Sequence, residues 1–504
     1  MSNKTIQSAL ISVYHKDGLD QIVEGLKAQN ITVYSTGGTY KFLDNKGLDL
    51  RKVEDLTSYP SILGGRVKTL HPKVFGGILA KREDDHLGQL AEYDIPTLDL
   101  VIVDLYPFEE TVANTDDEDQ IIEKIDIGGI ALIRAAAKNY QDVVVIPSKE
   151  QYQDLEHILA EGGNTDLDTR KTLSAKAFGI SSGYDTAIHN YLATDQKLTI
   201  SSLTSTSLRY GENPHQKGIF FGEMSAMFDK LGGKELSYNN LVDVDAAICL
   251  MKEFKDEKPT CAILKHTNAC GVATADTVHA AWTKALEADS VSAFGGIFIF
   301  NSPVDEDTAK EIDKLFYEVV IAPDFTDGAK AVLMAKKKRI LLRLNHYNTR
   351  AKSVKSILNG YIEQEIDQTV ESPETFTYPT KASAAGNQES DLVFALKCAK
   401  HLKSNTIVFA KDGQMLSMGC GQTSRVDACK QAIQKAAAFG LDLKGSVMAS
   451  DAFFPFPDCV ELAAEVGVTA VVQPGGSIKD NLSIEACDAH GIAMAVTGIR
   501  HFKH

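Results

Sequence analysis

The sequence predicts an α/β protein of more than one domain, and three observations carry that expectation. Short β-branched runs alternate with amphipathic stretches of helical period in the first two hundred residues. The chain has 504 residues, too many for one hydrophobic core. In the second half a strand–helix–strand pattern occurs twice.

Along the chain, ALISV reads as a strand and DGLDQIVEGLKAQN as the helix behind it. ITVYST is the next strand, with TYKFLDNKG helical after it. LDLVIVDLY and DVVVIPS are further apolar strands, and KEQYQDLEHILAEGG is a helix. Strands and helices in alternation imply a parallel sheet covered on both faces. A long helical stretch, TRKTLSAKAFGISSGYDTAIHNYLA, closes this region. The Ser/Thr-rich LTISSLTSTS, Leu198 to Ser207, reads as a linker and sets expected domains at 1–197 and 198–504.

In the second domain AFGGIFIFNSPVDEDTAKEIDKLFYEVVIAPD and SDAFFPFPDCVELAAEVGVTAVVQPG share one pattern, each behind a helical segment. Their offset of roughly 150–160 residues is too long for a solenoid repeat, so two related α/β lobes are expected. Glu371 to Ser390, largely polar, is the expected connector near 371–390.

Composition excludes several classes of function. Hydrophobic content of 44% and charge of 24% are ordinary for a globular protein. A net charge of -16 disfavours nucleic acid and anionic membrane as partners, and a phosphorylated ligand would need its own local cations. KKKR, Lys336 to Arg339, reads as one solvated face. No apolar run approaches the ~20 residues of a membrane span, and the N-terminus lacks a signal-peptide pattern. All eight cysteines lie after residue 248 without a C-x-x-C spacing, which fits reduced thiols in the cytoplasm rather than disulfides or structural zinc.

Several stretches carry chemistry. STGGT (Ser35, Thr36, Gly37, Gly38, Thr39) lies between a strand and a helix, where amides, hydroxyls and a helix N-terminus can meet an anion. A plain turn would also produce it, and no G-K-[ST] follows to make a Walker A loop. GGRVKTLHPKVFGG has no regular period and reads as a loop bringing Arg66 and Lys68 to an anionic or carbonyl-bearing ligand, or as a solvated basic turn. In DIGGIALIRAAAKNY, Asp126 precedes two glycines at a helix start, and Arg134 and Lys138 share one face. DLYPF ends a buried strand with Tyr106, at the strand end where parallel sheets bind ligands. In AILKHTNACG, Lys265 and His266 are adjacent, so the two act together only where a strand gives way to a loop.

STGGT, GGRVKTLHP, LYPF, DIGGIALIRAAAKN, LRYGENPHQ, LKHTNACG and SDAFFPF, in this order, resemble the bifunctional phosphoribosylaminoimidazolecarboxamide (AICAR) formyltransferase / IMP cyclohydrolase family of purine biosynthesis over almost the whole chain. The resemblance implies a methylglyoxal-synthase-like first domain and a formyltransferase region of two cytidine-deaminase-like lobes. It implies AICAR, FAICAR and IMP as ligands, 10-formyltetrahydrofolate (a reduced folate) as co-substrate, no metal, and a homodimer with transferase sites across the subunit interface. It places Lys68, Tyr106, Asp126 and Lys138 at the ring-closing site, with Ser12, Lys16, Arg66 and the STGGT turn on the substrate. Lys68 would stabilise the oxyanion on the formyl group, and the other three would move protons. Asp104 stands where relatives typically have asparagine.

For formyl transfer the resemblance makes His266 the base that deprotonates the attacking amine, with Lys265 stabilising charge. A neighbouring ammonium disfavours a second positive charge on the imidazole. Asn405 would lie beside the reacting amine, and Arg209, Tyr210, Phe294, Gly295, Glu318, Arg425, Phe453 and Arg500 would contact the nucleotide. Phe453 and Asp458 would contact the folate, although core packing also accounts for Phe453, Phe454 and Phe456. GCGQTS lacks the register of a dinucleotide fingerprint, and no H-x-E is paired with P-C-x-x-C, so neither NAD nor a zinc-deaminase mechanism is expected. Two other readings stay open: a first domain that only senses a nucleotide, and a transferase whose cyclohydrolase half is inactive.

Overall fold

The structure is a computed structural model and describes residues 3–193, 204–347 and 350–504. It divides into two compact units, Met1–Thr204 and Ser205–His504. The expected boundary at 197/198 and most of the linker, 198–203, lie outside the described residues. Ser205–Ser207 is a short strand paired with Ile219–Phe221.

The first unit is built on a five-stranded parallel sheet. Its elements are β1 (Ser8–Val13), α1 (Leu19–Ala28), β2 (Thr32–Ser35), α2 (Gly37–Leu43), β3 (Leu50–Lys52), β4 (Leu100–Asp104), α3 (Gly128–Lys138), β5 (Val144–Ile146) and α4 (Leu167–Leu192). The strand order is β3-β2-β1-β4-β5, every pair parallel. Central β1 and β4 are apolar on both faces because helices cover both, and Leu10, Ile11, Val101 and Ile102 are fully buried. The 26-residue α4 is capped by Asp166, whose carboxylate accepts the Thr169 amide.

The second unit holds one eleven-stranded sheet. In chain order its elements are β6 (Phe228–Gly232), α5 (Tyr238–Lys252), β7 (Thr260–Lys265), β8 (Asn268–Thr274), α6 (Val278–Ala288), β9 (Gly296–Phe300), β10 (Tyr317–Ala322), β11 (Ile340–Leu344), α7 (Asn387–Lys400), β12 (Ile407–Lys411), β13 (Gln414–Gly419), α8 (Arg425–Ala438), β14 (Val447–Ser450), α9 (Asp458–Glu465), β15 (Ala470–Gln473) and β16 (Ala493–Val496). They lie in the order β6-β11-β10-β9-β7-β8-β13-β12-β14-β15-β16. The internal repeat is plain in this order. A hairpin β7–β8 is followed by antiparallel β9 and then parallel β10 and β11; hairpin β12–β13 is followed by antiparallel β14 and then parallel β15 and β16. The lobes join where β8 meets β13, at Ala273 opposite Gln414.

Strand alternation sorts the side chains. Ala262, Leu264, Val408 and Ala410 face a core shared by both lobes under α5 and α7. Cys261 and Ile263 face a separate core with Trp282 and Phe298, and Ile407 and Phe409 face another with Ala428 and Ala432.

Gly271 in β8 and Gly419 in β13 lie directly against the following helix. A Cβ on either would come within 1.9 Å of a helix carbonyl, that of Ala285 or of Ala428. Gly419→Ala is expected to cost about 1–3 kcal/mol, read as a lower Tm in thermal unfolding. Gly88→Ala, on an open face of the helix Asp84–Glu92, is expected to be neutral or slightly stabilising.

The stretch 371–390 runs between the lobes and is packed: Glu371 is buried on His501, Thr377 bridges to Val496 in β16, and α7 begins inside it at Asn387. Two expectations need correction. Arg339 is not part of a solvated KKKR face; it is buried, with its guanidinium 2.7 Å from Asp313 and 4.6 Å from the Tyr317 ring centre. FFPF is not a strand but the loop after β14. All eight cysteines are free thiols, and no described helix is long and apolar enough to cross a membrane.

Candidate active sites

In the first unit the carboxyl ends of β1, β2 and β4 open into a cavity of about 790 Å³. Ser12, Lys16, Thr36, Gly38, Thr39, Arg66, Lys68, Tyr106 and Asp126 line it together with Lys124 and Asp104. The parallel sheet explains the gathering, since each strand delivers its following loop to the same edge.

Local sequence fixes each part. Gly37 takes φ 57, a left-handed value that lets the turn reverse into α2, and the Lys68 ammonium lies against it. Thr39 donates to the Val13 carbonyl at 2.9 Å and ties α2 to β1. Lys16 donates to the Val13 and Tyr14 carbonyls, the latter at 3.1 Å. Burial pulls its ammonium below the usual value, opposed by Asp104. Arg66 pairs with Glu123 at the cavity rim.

Asp126 is the electrostatic centre. Its Oδ1 accepts the Gly129 amide at 2.6 Å, and a side chain at 129 would meet the carboxylate, with Oδ2 only 2.5 Å from its Cβ. Burial pushes the Asp126 carboxyl above its usual value, against the Gly129 hydrogen bond and the charge of Lys68. Burial, with the nearby Asp126, also raises the Tyr106 phenol, so the hydroxyl keeps its proton. The cavity therefore holds a buried carboxyl that keeps its proton to a higher pH than usual, a neutral phenol and an ammonium, next to a turn that can take a phosphate.

A carboxyl raised in the folded state adds stability that is fully present below its unfolded value and lost as pH rises through the folded one. Asp126→Asn, permanently neutral, is thus expected to raise Tm at neutral pH. The gain should fade on acidification toward about pH 4, as thermal scans across pH would read.

Two nominated residues lie elsewhere. Ser35 is fully buried and donates its hydroxyl to the Ile11 carbonyl at 2.8 Å, so that hydroxyl is not available to a phosphate. Lys138 is the last residue of α3, whose first turn carries Gly128 and Gly129 at the cavity. At 1.5 Å per residue the helix separates the two ends by ~15 Å. Lys138 instead shares an open groove with Arg134, Phe75 and Phe178.

The sequence reading missed other neighbours. Lys124 sits over the Tyr14 and Tyr106 rings at 5.1 and 5.8 Å. Tyr184 of α4 donates to the Lys124 carbonyl at 2.6 Å and accepts the Asp126 amide at 2.9 Å, clamping the loop. Asp104 accepts both the backbone amide of His15 (2.8 Å) and its Nδ1 (2.7 Å), so here the acid binds histidine. The tyrosine belongs to a helix distant in sequence, in its fifth turn, and no local signal ties it to the Asp126 loop.

In the second unit β7 ends at Lys265, and His266 and Thr267 form the two-residue loop to β8. His266 is exposed, and the Lys265 ammonium donates to the Phe294 carbonyl at 2.7 Å, beside Gly295. On the other lobe the Arg425 guanidinium binds Asn405 Oδ1 at 3.0 Å, Asp451 Oδ1 at 2.7 Å and Ser450 Oγ at 2.8 Å. Buried Asp451 also accepts Ser404 Oγ at 2.5 Å, fixing the backbone beside Asn405. Asn268 joins the halves by accepting the Lys403 amide at 3.2 Å.

Glu318 is paired with Lys234 at 2.5 Å. Exposed Arg209 stacks over Tyr210 at 5.0 Å and Arg500 over Phe502 at 4.4 Å. Phe454 is fully buried, whereas Phe453 and Phe456 are 37% and 50% exposed, so core packing explains only the middle ring. Asp458 lies in the first turn of α9. Asp451 and Lys234 went unnominated, and only the S-D pair closing β14 hinted at the former. A second cavity of about 400 Å³, lined by Glu253, Asp367 and His401 among others, contains none of the nominated residues. Among the described residues no cluster of His, Cys, Asp and Glu is disposed to hold a metal.

Comparison with known proteins shows the family. A family model for the AICARFT/IMPCHase bienzyme matches residues 136–435, and one for the MGS-like domain matches 18–131. A Bacteroides thetaiotaomicron protein named "Bifunctional purine biosynthesis protein PurH" is 53% identical across all of this chain and 99% of its own. One of the same name from Pelodictyon phaeoclathratiforme is 45% identical with both chains fully covered. The crystal structure of ForH is 34% identical over 38% of this chain and all of its own, with a TM-score of 0.33. With relatives this similar over its full length, the chain belongs to the AICARFT/IMPCHase bienzyme family.

Proposed function

We propose that the chain performs two consecutive steps of purine biosynthesis. The second unit transfers a formyl group from 10-formyltetrahydrofolate to the 5-amino group of AICAR, and the first closes FAICAR to IMP with loss of water. The observation that carries the two-step reading is that Lys68, Tyr106 and Asp126 line one cavity with the Thr36–Thr39 turn. A nucleotide sensor needs the turn but not the acid and the phenol.

In transfer, the amine nitrogen attacks the formyl carbon and His266 takes its proton. The bond from carbon to the folate nitrogen then breaks, and that nitrogen is protonated. Lys265 stabilises the oxyanion formed between these events, and Asn405, held by Arg425, orients the amine. Phe294, Phe453, Arg209, Tyr210, Glu318 and Arg500 bind the nucleotide, and Asp458 the folate. In closure, the carboxamide nitrogen attacks the formyl carbon of the same molecule, so holding the reactive conformer supplies much of the rate. Lys68 stabilises the oxyanion, Tyr106 and Asp126 pass protons, and hydroxide leaves as water. Ser12, Lys16, Arg66 and the Thr36–Thr39 turn hold the 5′-phosphate. Neither step calls for a metal.

We assign ring closure to Met1–Thr204 and transfer to Ser205–His504, in the cytoplasm, where free thiols persist. The active form is a homodimer with transfer sites completed across the interface, so dilution to monomers should abolish transfer before closure. The deciding experiment supplies purified protein with AICAR and 10-formyltetrahydrofolate. IMP is the expected product; accumulation of FAICAR would leave only the transferase.

A further inference from the structure

The two lobes of the second unit carry the same hairpin, and comparing them assigns a role to Asp243. In the first lobe Lys265 pairs with Asn268 around His266 and Thr267. In the second, Lys411 pairs with Gln414 around Asp412 and Gly413. Both hairpins carry a β-bulge at the corresponding place, between Ile263 and Leu264 and between Phe409 and Ala410. Both loops are left-handed at both central residues: φ is 49 and 66 at His266 and Thr267, and 51 and 67 at Asp412 and Gly413. That is the mirror-image hairpin turn, for which Asp-Gly is among the preferred dipeptides. The second lobe uses the preferred pair. The first lobe puts histidine and β-branched threonine into the same backbone, where threonine is a genuine outlier.

Each turn is held by an aspartate from the first two turns of the preceding helix. Asp391 of α7 accepts the amides of Asp412 and Gly413, both at 2.9 Å. Asp243 of α5 accepts the Thr267 amide at 2.8 Å. In the second lobe glycine would allow the turn without help. In the first it would not, because neither residue favours the conformation that presents His266.

The geometry points to Asp243 as the positioning residue of the transfer site: its carboxylate holds the strained His266–Thr267 turn in the orientation that presents the imidazole. This rests on the reading of His266 as the base. Asp243 touches no reacting atom and acts through the backbone. The turn keeps its strain because a side chain is needed at 266 and the aspartate offsets the cost locally.

The test uses the full-length protein with AICAR and 10-formyltetrahydrofolate, and ring closure from FAICAR as internal control. Asp243→Ala is expected to lower the transfer kcat about tenfold to a hundredfold, with the nucleotide KM little changed and ring closure intact. Asp243→Asn keeps an acceptor and should stay near the parental kcat. Thr267→Gly in the Asp243→Ala background should recover most of the loss, because glycine takes the turn unaided. Asp391→Ala, the same deletion under the sister turn, should leave the transfer kcat unchanged. Parental kcat in Asp243→Ala, or no rescue by glycine, overturns the assignment. If Asp243→Ala does not fold, a loss in Asp243→Asn as large as in a His266→Ala variant overturns it instead. An active His266→Ala variant would sink the base reading itself, an outcome separate from all of these.

Discussion

His266→Ala is expected to lower formyl transfer by about a hundredfold to ten-thousandfold while ring closure of supplied FAICAR continues at the parental rate. The 5-amino group of AICAR is conjugated with the carboxamide and is a weak nucleophile, so it gains most from losing its proton as it attacks. His266 is exposed at the tip of a hairpin, and the Lys265 ammonium beside it is already bound to the Phe294 carbonyl. No other imidazole shares that turn. The variant removes an exposed side chain and relaxes nothing in the core, so loss of transfer without loss of Tm is the expected signature. Full transfer by this variant would end the base assignment.

Asp126→Asn is expected to stop ring closure, by a similar hundredfold to ten-thousandfold, and to turn the product of the coupled assay from IMP to FAICAR. Asparagine keeps the shape and can still accept the Gly129 amide, but it cannot give a proton to the leaving hydroxide. Burial favours the protonated acid at this position, so the same variant should be more stable at neutral pH. Greater stability with lost closure is what a buried acid kept for chemistry predicts. A variant that still makes IMP at the parental rate would remove Asp126 from the mechanism.

Much of this was legible in the sequence because it is local. Short β-branched runs and helical periods set β1, β2, β4 and β5 and the helices between them, though not β3, and Gly37 and Gly129 mark the turns that need them. The repeat within 205–504 showed as a strand–helix–strand echo, and the Lys265–His266 pair announced a strand end. The place of Lys138 follows from local rules: a helix starting at Gly128 carries it about three turns along from the cavity.

What only the tertiary structure decided is which distant groups meet. Tyr184 clamps Asp126 from a helix that starts forty residues later, Asp451 fixes Arg425 across β14, and Asp243 reaches Thr267 from another element. Ser35 showed as a polar residue in a phosphate-like turn, but the Ile11 carbonyl across the sheet claims its hydroxyl. A backbone pattern depends on neighbours in the chain, so sequence determines it. A hydrogen bond depends on a few tenths of an ångström between elements far apart in the chain, and only their packing sets that distance.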